Sequence, residues 1–279
     1  MAITYRWDID MIKFLVTEGA QVNPDWEESP LQTALGAPYT KISCRIVDYL
    51  LLEGANVNAR PPPRPPPRIA YTQRYRSRGT ALQLAIYYDH DLSLIKRLLE
   101  LGADINAPAV QGNLGLAGTA LQAAMEYPRR QESTELIQLL LSKGADVNAP
   151  AAGKGGRTAL QAAVSWGPGD FKLINLLLNN GADVNAPPAR ERGITALQAA
   201  AIKGYMNAAR LLLQHGADVN APGSKEEGRT ALEGAAERGR LDMVQLLLNN
   251  GATASETAAN FAKEEGYFVI YDLIIKNIR

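Results

Sequence analysis

The sequence predicts an all-α solenoid, a stack of helix-turn-helix units, and two phrases that recur in one phase predict it. A Gly-Ala pair closes a leucine-rich stretch at Gly19, Gly54, Gly102, Gly144, Gly181, Gly216 and Gly251, at intervals of 35, 48, 42, 37, 35 and 35 residues. In step with it, Thr-Ala-Leu begins at Thr80, Thr119, Thr158, Thr195 and Thr230, with a degenerate Ser29-Pro30-Leu31 ahead of them. Units of this size cannot bury their own apolar faces, so they stack and the core runs along the array.

Each unit reads as two helices. In the stretch from Thr158 to Asn185, small residues dominate the first half and leucines the second. Thr158 with Gln161 forms a capping box, in which each side chain satisfies the other residue's free backbone amide at the helix start. Ser29/Gln32, Thr80/Gln83, Thr119/Gln122, Thr195/Gln198 and Thr230/Glu233 repeat that spacing. Alanines after the cap allow neighbouring helices to approach closely. Leu173, Ile174, Leu176, Leu177 and Leu178 supply the apolar stripe of the second helix. Asn180-Gly181 and Asn250-Gly251 would suggest hairpin turns in isolation; after a leucine-rich helical run, the glycine fits the left-handed cap of a helix C-terminus.

The pairing of TALQAA with LLLxxGADVNAP closely resembles the ankyrin repeat, whose period is roughly 33 residues and whose phrase is Thr-Pro-Leu-His-x-Ala. Alanine stands for the usual proline, and Gln122, Gln161, Gln198 and Glu233 stand for the usual histidine. The extra length of the 35-residue intervals falls between Asn185 and Thr195 or Asn220 and Thr230, where the family has its hairpin finger. Such irregularity is that of a natural array, and the Asn-Ala-Pro finger start is similar to that of fungal arrays. The resemblance implies an ankyrin-repeat solenoid with hairpin fingers, a single domain over 1–279 of about seven repeats. It includes a partial unit at 1–23, a C-terminal cap at 254–279 that faces solvent, and an enlarged finger at 59–78.

Composition narrows the function. Lys plus Arg and Asp plus Glu each total 29, so no whole-molecule field draws the chain to nucleic acid or acidic lipid. Cys44 is the single cysteine, which excludes an intramolecular disulfide and fits a reducing compartment; the expectation is cytoplasm or nucleus. Arg6 and Asp8 interrupt the N-terminal stretch and exclude a signal peptide there. Apolar runs such as Leu139 to Leu141 fall far short of the roughly 20 residues of a membrane span.

The chemistry-bearing residues do not assemble into a catalytic pattern. His90 falls in an inter-helix turn and His215 beside Gly216, neither with a metal-ligating neighbour. Cys44, Asp48 and Glu53 lack a positioned base, and Cys44 reads as packing. Gly153, Gly155 and Gly156 around Lys154 lack the strand and the Lys-Ser/Thr ending of a phosphate loop. No catalytic residue, metal or cofactor is expected.

The segment from Ala59 to Arg78 holds six arginines, six prolines and no acidic residue. Pro63, Pro66 and Arg68 match the PxxPx+ spacing of extended ligands, and Arg60, Pro63 and Pro66 match the opposite orientation. Two readings stand: a docking strip and a solvated insertion without a partner. Arg74, Arg76 and Arg78 with Tyr71 and Tyr75 also suit nucleic-acid contact, on a footprint of one finger.

The family places fingers and first helices on one concave face, exposing the two positions after the alanine phrase. Carried over, these are Tyr87 and Tyr88, Glu126 and Tyr127, Ser165 and Trp166, Ile202 and Lys203, and Glu237 and Arg238. Tyr88, Tyr127 and Trp166 form an aromatic ladder, a residue type enriched where interfaces concentrate energy; the bland alternative folds some of these rings over the inter-helix turns. The expected function is a protein-interaction scaffold that binds a protein partner through this face, monomeric in isolation, with neither membrane nor nucleic acid as partner. The alternative is a regulatory or sensing module of a larger enzyme or receptor, which the half-unit at Asp10 to Gly19 motivates.

Overall fold

The computed structural model describes residues 8–24, 29–36, 41–60, 79–108, 118–126, 133–151, 156–166, 171–189, 193–224 and 228–278. Among them lie α1 (Ile9–Thr17), α2 (Pro30–Leu35), α3 (Lys41–Leu52), α4 (Ala81–Tyr87), α5 (Leu92–Glu100), α6 (Ala120–Glu126), α7 (Ser133–Ser142) and α8 (Ala159–Trp166). They are followed by α9 (Phe171–Asn179), α10 (Ala196–Lys203), α11 (Met206–Gln214), α12 (Ala231–Glu237), α13 (Leu241–Asn249), α14 (Glu256–Glu264) and α15 (Phe268–Lys276). No strand occurs among the described residues, and the tips of the expected hairpin fingers lie outside them.

Even-numbered helices are the first of each repeat and odd-numbered helices the second. The capping spacing works as expected. In all six boxes the Ser or Thr oxygen accepts the amide of the residue three along, and that residue's side chain accepts the capping amide, at 2.8–3.0 Å. A cap of this kind is worth about 1 kcal/mol. At the other end, Gly181 adopts φ 82° and Gly251 φ 86°, with the amides that follow folded back onto Leu177 and Leu247 carbonyls. The left-handed cap therefore holds, and an added Cβ there would strain the backbone.

The chain packs as two compact units, Met1–Ala124 and Met125–Arg279. In the first, α2 packs on α3 and α4, α4 on α5, and α1 on α3. Leu31, Leu35, Ile46, Leu50, Leu82, Leu84, Ile95 and Leu98 form its buried core. In the second, α8, α10, α12 and α14 stack in sequence, each against its own second helix. Small side chains permit that approach: Ala199, Ala200, Ala201, Ala235 and Ala236 are fully buried, opposite Leu212, Val244 and Leu247. Gly234 marks the tightest point, since a Cβ on it would come within 2.6 Å of Ile202 Cγ1.

Two long-range bonding patterns lock repeat to repeat. The box glutamine has a second role: its Nε2 donates to carbonyls at the base of the following finger, Gln83 to Ala107 and Gly118, Gln161 to Ala186 and Pro187, Gln198 to Ala221 and Pro222. The box of α12 holds Glu233 instead, and only three residues, Ala252 to Ala254, separate Gly251 from the cap Ser255 of α14, so no finger follows whose carbonyls a glutamine would serve. The second pattern uses the asparagine of each GADVN-like phrase. Asn58, Asn185 and Asn220 each donate to the cap-glycine carbonyl of the next repeat and accept the amide two residues beyond it, as Asn185 does with Gly216 and Asp218.

At the ends, α1 leaves Met11, Phe14 and Leu15 exposed. The solvent side of α15 is apolar too, with Phe268, Val269, Ile275 and Ile278 exposed.

Candidate functional site

Among the described residues, the paired positions singled out by sequence fall at the C-terminal ends of the first helices α4, α6, α8, α10 and α12. In the first unit, Tyr87 is the last residue of α4 and Tyr88 its cap. Both are half-buried, and their rings meet edge to face with centroids 4.9 Å apart at 77°. Each ring thus gives part of its surface to the other. Behind them the chain turns through Asp89 at φ 64° into His90, which is fully buried. His90 Nε2 lies 3.0 Å from the Leu35 carbonyl at the end of α2, and since a carbonyl only accepts, that nitrogen carries the hydrogen. Burial holds His90 below its ordinary pKa, against the smaller opposing pull of the Leu35 carbonyl and Asp91. The histidine thus packs in the core of the first unit and ties the turn to the end of α2.

An open cleft of about 220 Å³ lies in the same unit, lined by Cys44, Asp48, Asp91, Ser93, Leu94 and Arg97. Its polar groups serve the helices that form it: Asp91 accepts the Leu94 amide and the Ser93 hydroxyl at 2.8 Å each, and Asp48 pairs with Arg97 at 2.5 Å. Cys44 is half-buried at its wall. Among the described residues, no group of His, Cys, Asp or Glu side chains is placed to hold a metal ion.

In the second unit the candidate residues occupy equivalent ends of consecutively packed helices. Ser165 is half-buried near the end of α8; it donates to the Gln161 carbonyl at 2.7 Å and accepts from Arg157 Nε at 3.1 Å. Ile202 is half-buried and packs over Gly234 of the next first helix, so part of its apolar surface is spent inside the stack. Lys203 ends α10 and Arg238 caps α12; both are exposed. Glu237 ends α12, with Oε2 3.5 Å from Arg229 Nε. Trp166 and Glu126 end α8 and α6, and their side chains lie outside the described residues, as do all of Tyr127, Pro63, Pro66 and Arg68. Arg60 is exposed at the start of its finger.

Sequence reading missed two participants. Arg157 and Arg229 each stand one residue before the capping threonine and reach the residue eight positions on, Ser165 and Glu237. Arg229 also lies over the Phe261 ring of α14, 4.2 Å from its centroid. The shared Arg-Thr-Ala-Leu phrase was the available signal.

No described helix is long and apolar enough to cross a membrane. A comparison with curated proteins finds no match. A family profile described as Ankyrin repeats (3 copies) matches residues 82–188 and 186–258. The matched stretches contain four of the six capping boxes and the finger-bound Gln83, Gln161 and Gln198, and they span well over half of the sequence: the chain belongs to the ankyrin-repeat family.

Proposed function

We propose that this protein is an interaction scaffold that binds a protein partner through the surface formed by the ends of its first helices. Ankyrin repeats generally mediate protein–protein interaction, and the family is typically non-enzymatic. The observation that carries the reading is register. In the second unit, α8, α10, α12 and α14 pack in order, so equivalent positions recur along one row, and that row presents exposed Lys203 and Arg238 between half-buried Ser165, Ile202 and Glu237. Side chains held at regular spacing on a rigid support lose little freedom when a partner arrives.

The test is capture from native extract on the intact chain and, in parallel, on Trp166→Ala and Arg238→Ala. The partner retained by the intact chain should bind each variant with an affinity lowered by about 2 kcal/mol, roughly thirtyfold. Thermal melts of each variant alone should match the intact protein. Normal binding by both variants would remove this surface from consideration, and a collapsed melt would show that the residues serve packing.

A further inference from the structure

Asn180-Gly181 and Asn250-Gly251 are the two Asn-Gly pairs of the sequence, and both fall at the C-terminal ends of second helices in the second unit. Such a pair carries its own chemistry. The glycine amide nitrogen, once it gives its proton to a solvent base, can attack Cγ of the asparagine. A C–N bond forms, the bond to Nδ2 breaks and ammonia leaves. Water then opens the five-membered imide at either carbonyl, giving aspartate or isoaspartate. A glycine in second place opposes this least, because it has no side chain to screen its nitrogen.

The helix caps withhold both reacting groups. Asn250 caps α13 at φ −100° and ψ 15°, where the Gly251 nitrogen nearly eclipses the nitrogen of Asn250 itself and points away from its Cβ. The Gly251 amide donates to the Leu248 carbonyl at 3.1 Å, and Asn250 Nδ2 donates to the Leu246 carbonyl at 2.7 Å. The cap of α9 repeats both bonds, Gly181 to Leu178 at 3.0 Å and Asn180 Nδ2 to Leu176 at 2.8 Å. Both asparagines are exposed, so solvent base and water reach them and the cap geometry stands in the way. Two other caps offer comparisons. His215 Nδ1 lies 2.9 Å from the Leu211 carbonyl, and Asn277 Nδ2 donates to the Leu273 carbonyl at 2.8 Å. The first has no carboxamide to lose, and the second precedes the branched Ile278.

We infer that Asn180 and Asn250 are the deamidation sites of this chain, held closed by the caps of α9 and α13 and opened only when those helix ends fray. Helix ends open at lower free energy than the stacked core, so the reaction reports local opening. It also marks the end that opened. A carboxylate has no hydrogen to give the Leu176 or Leu246 carbonyl and stands at the negative end of the helix dipole, so the product cap is weaker than its parent.

The experiment incubates the full chain at mildly alkaline pH, native and in urea. Amide-to-acid conversion is followed at each asparagine by peptide mapping with fragmentation, alongside hydrogen exchange of the Gly181 and Gly251 amides. In urea, Asn180 and Asn250 should convert first, well ahead of Asn277. In the native protein both should convert at least about tenfold more slowly, by a factor that tracks the opening read by exchange. Asn250→His, which installs the residue of the equivalent α11 cap, should melt with the parent and keep the exchange protection of Gly251. Asn250→Asp, the product, should speed Gly251 exchange by about threefold or more. Native conversion as fast as in urea overturns the gate. Earlier conversion of another asparagine in the unfolded chain overturns the assignment, and unchanged Gly251 exchange in Asn250→Asp overturns the weakened cap.

Discussion

The two units solve the same problem, seating the inter-helix turn of one repeat on its predecessor, by different chemistry. In the first unit the turn is Asp89-His90-Asp91, and buried His90 is bonded to the Leu35 carbonyl at the end of the preceding first helix. In the second unit the turns are Gly204-Tyr205, Gly239-Arg240 and Gly266-Tyr267, one residue shorter before the second helix begins. There Arg240 lies against Gly204, and the Tyr267 ring lies against Gly239. The polar solution also supplies a cap, since Asp91 accepts the Leu94 amide, whereas Tyr205, Arg240 and Tyr267 make no side-chain cap bond. The lesson is that a repeat interface tolerates either a directional hydrogen bond or a flat stacking contact at this point. The two differ in what disturbs them: proton activity acts on the first and not on the second.

The sharpest test concerns what both units share. Gln83→Glu in the first unit and Gln161→Glu in the second keep the capping acceptor but turn a donor into a buried carboxylate facing carbonyl oxygens. Each should lower the stability of its own unit by about 2 to 4 kcal/mol in urea unfolding. Glu233→Gln should stay within about 0.5 kcal/mol, because no finger follows it. Equal effects at all three sites would show that the finger bond contributes nothing.

Next comes the difference between the units. His90→Ala removes a buried ring and leaves the Leu35 carbonyl without that donor, an expected loss of about 2 to 3 kcal/mol in the first unit. Arg240→Ala, at an exposed position, should cost less than about 1 kcal/mol in the second. Hydrogen exchange assigns each loss to its unit. The pH dependence follows from the depressed folded pKa of His90. The unfolded chain takes up this proton first, so the first unit keeps its full stability above about pH 6.5 and loses it as pH falls below that value toward the folded pKa. Exchange protection of α2 and α4 should drop in that window in the parent and not in His90→Ala; an unchanged profile in the parent would remove the histidine from the account. The smallest effect belongs to the asparagine clamps. Asn58→Ala and Asn185→Ala each delete two exposed hydrogen bonds and should cost about 1 kcal/mol in either unit.

Sequence alone determined what depends on short spacing. A capping box needs two residues three apart, and a helix terminator needs a glycine after an apolar run, so Thr158/Gln161 and Gly181 were legible with the repeat phase that contains them. The ends of the first helices followed from that phase, and with them Lys203 and Arg238. Tertiary structure decided what depends on stacking register: the bond of Gln83 to Gly118, 35 residues away, the clamp of Asn185 on Gly216, 31 away, and the seat of His90 on Leu35, 55 away. It also decided that Ile202 spends surface on Gly234 and that Arg229 lies over Phe261. A local hydrogen bond is set by backbone geometry within one turn of helix, whereas these partners meet only after one repeat has been laid on the next, and a single sequence carries no direct record of that register.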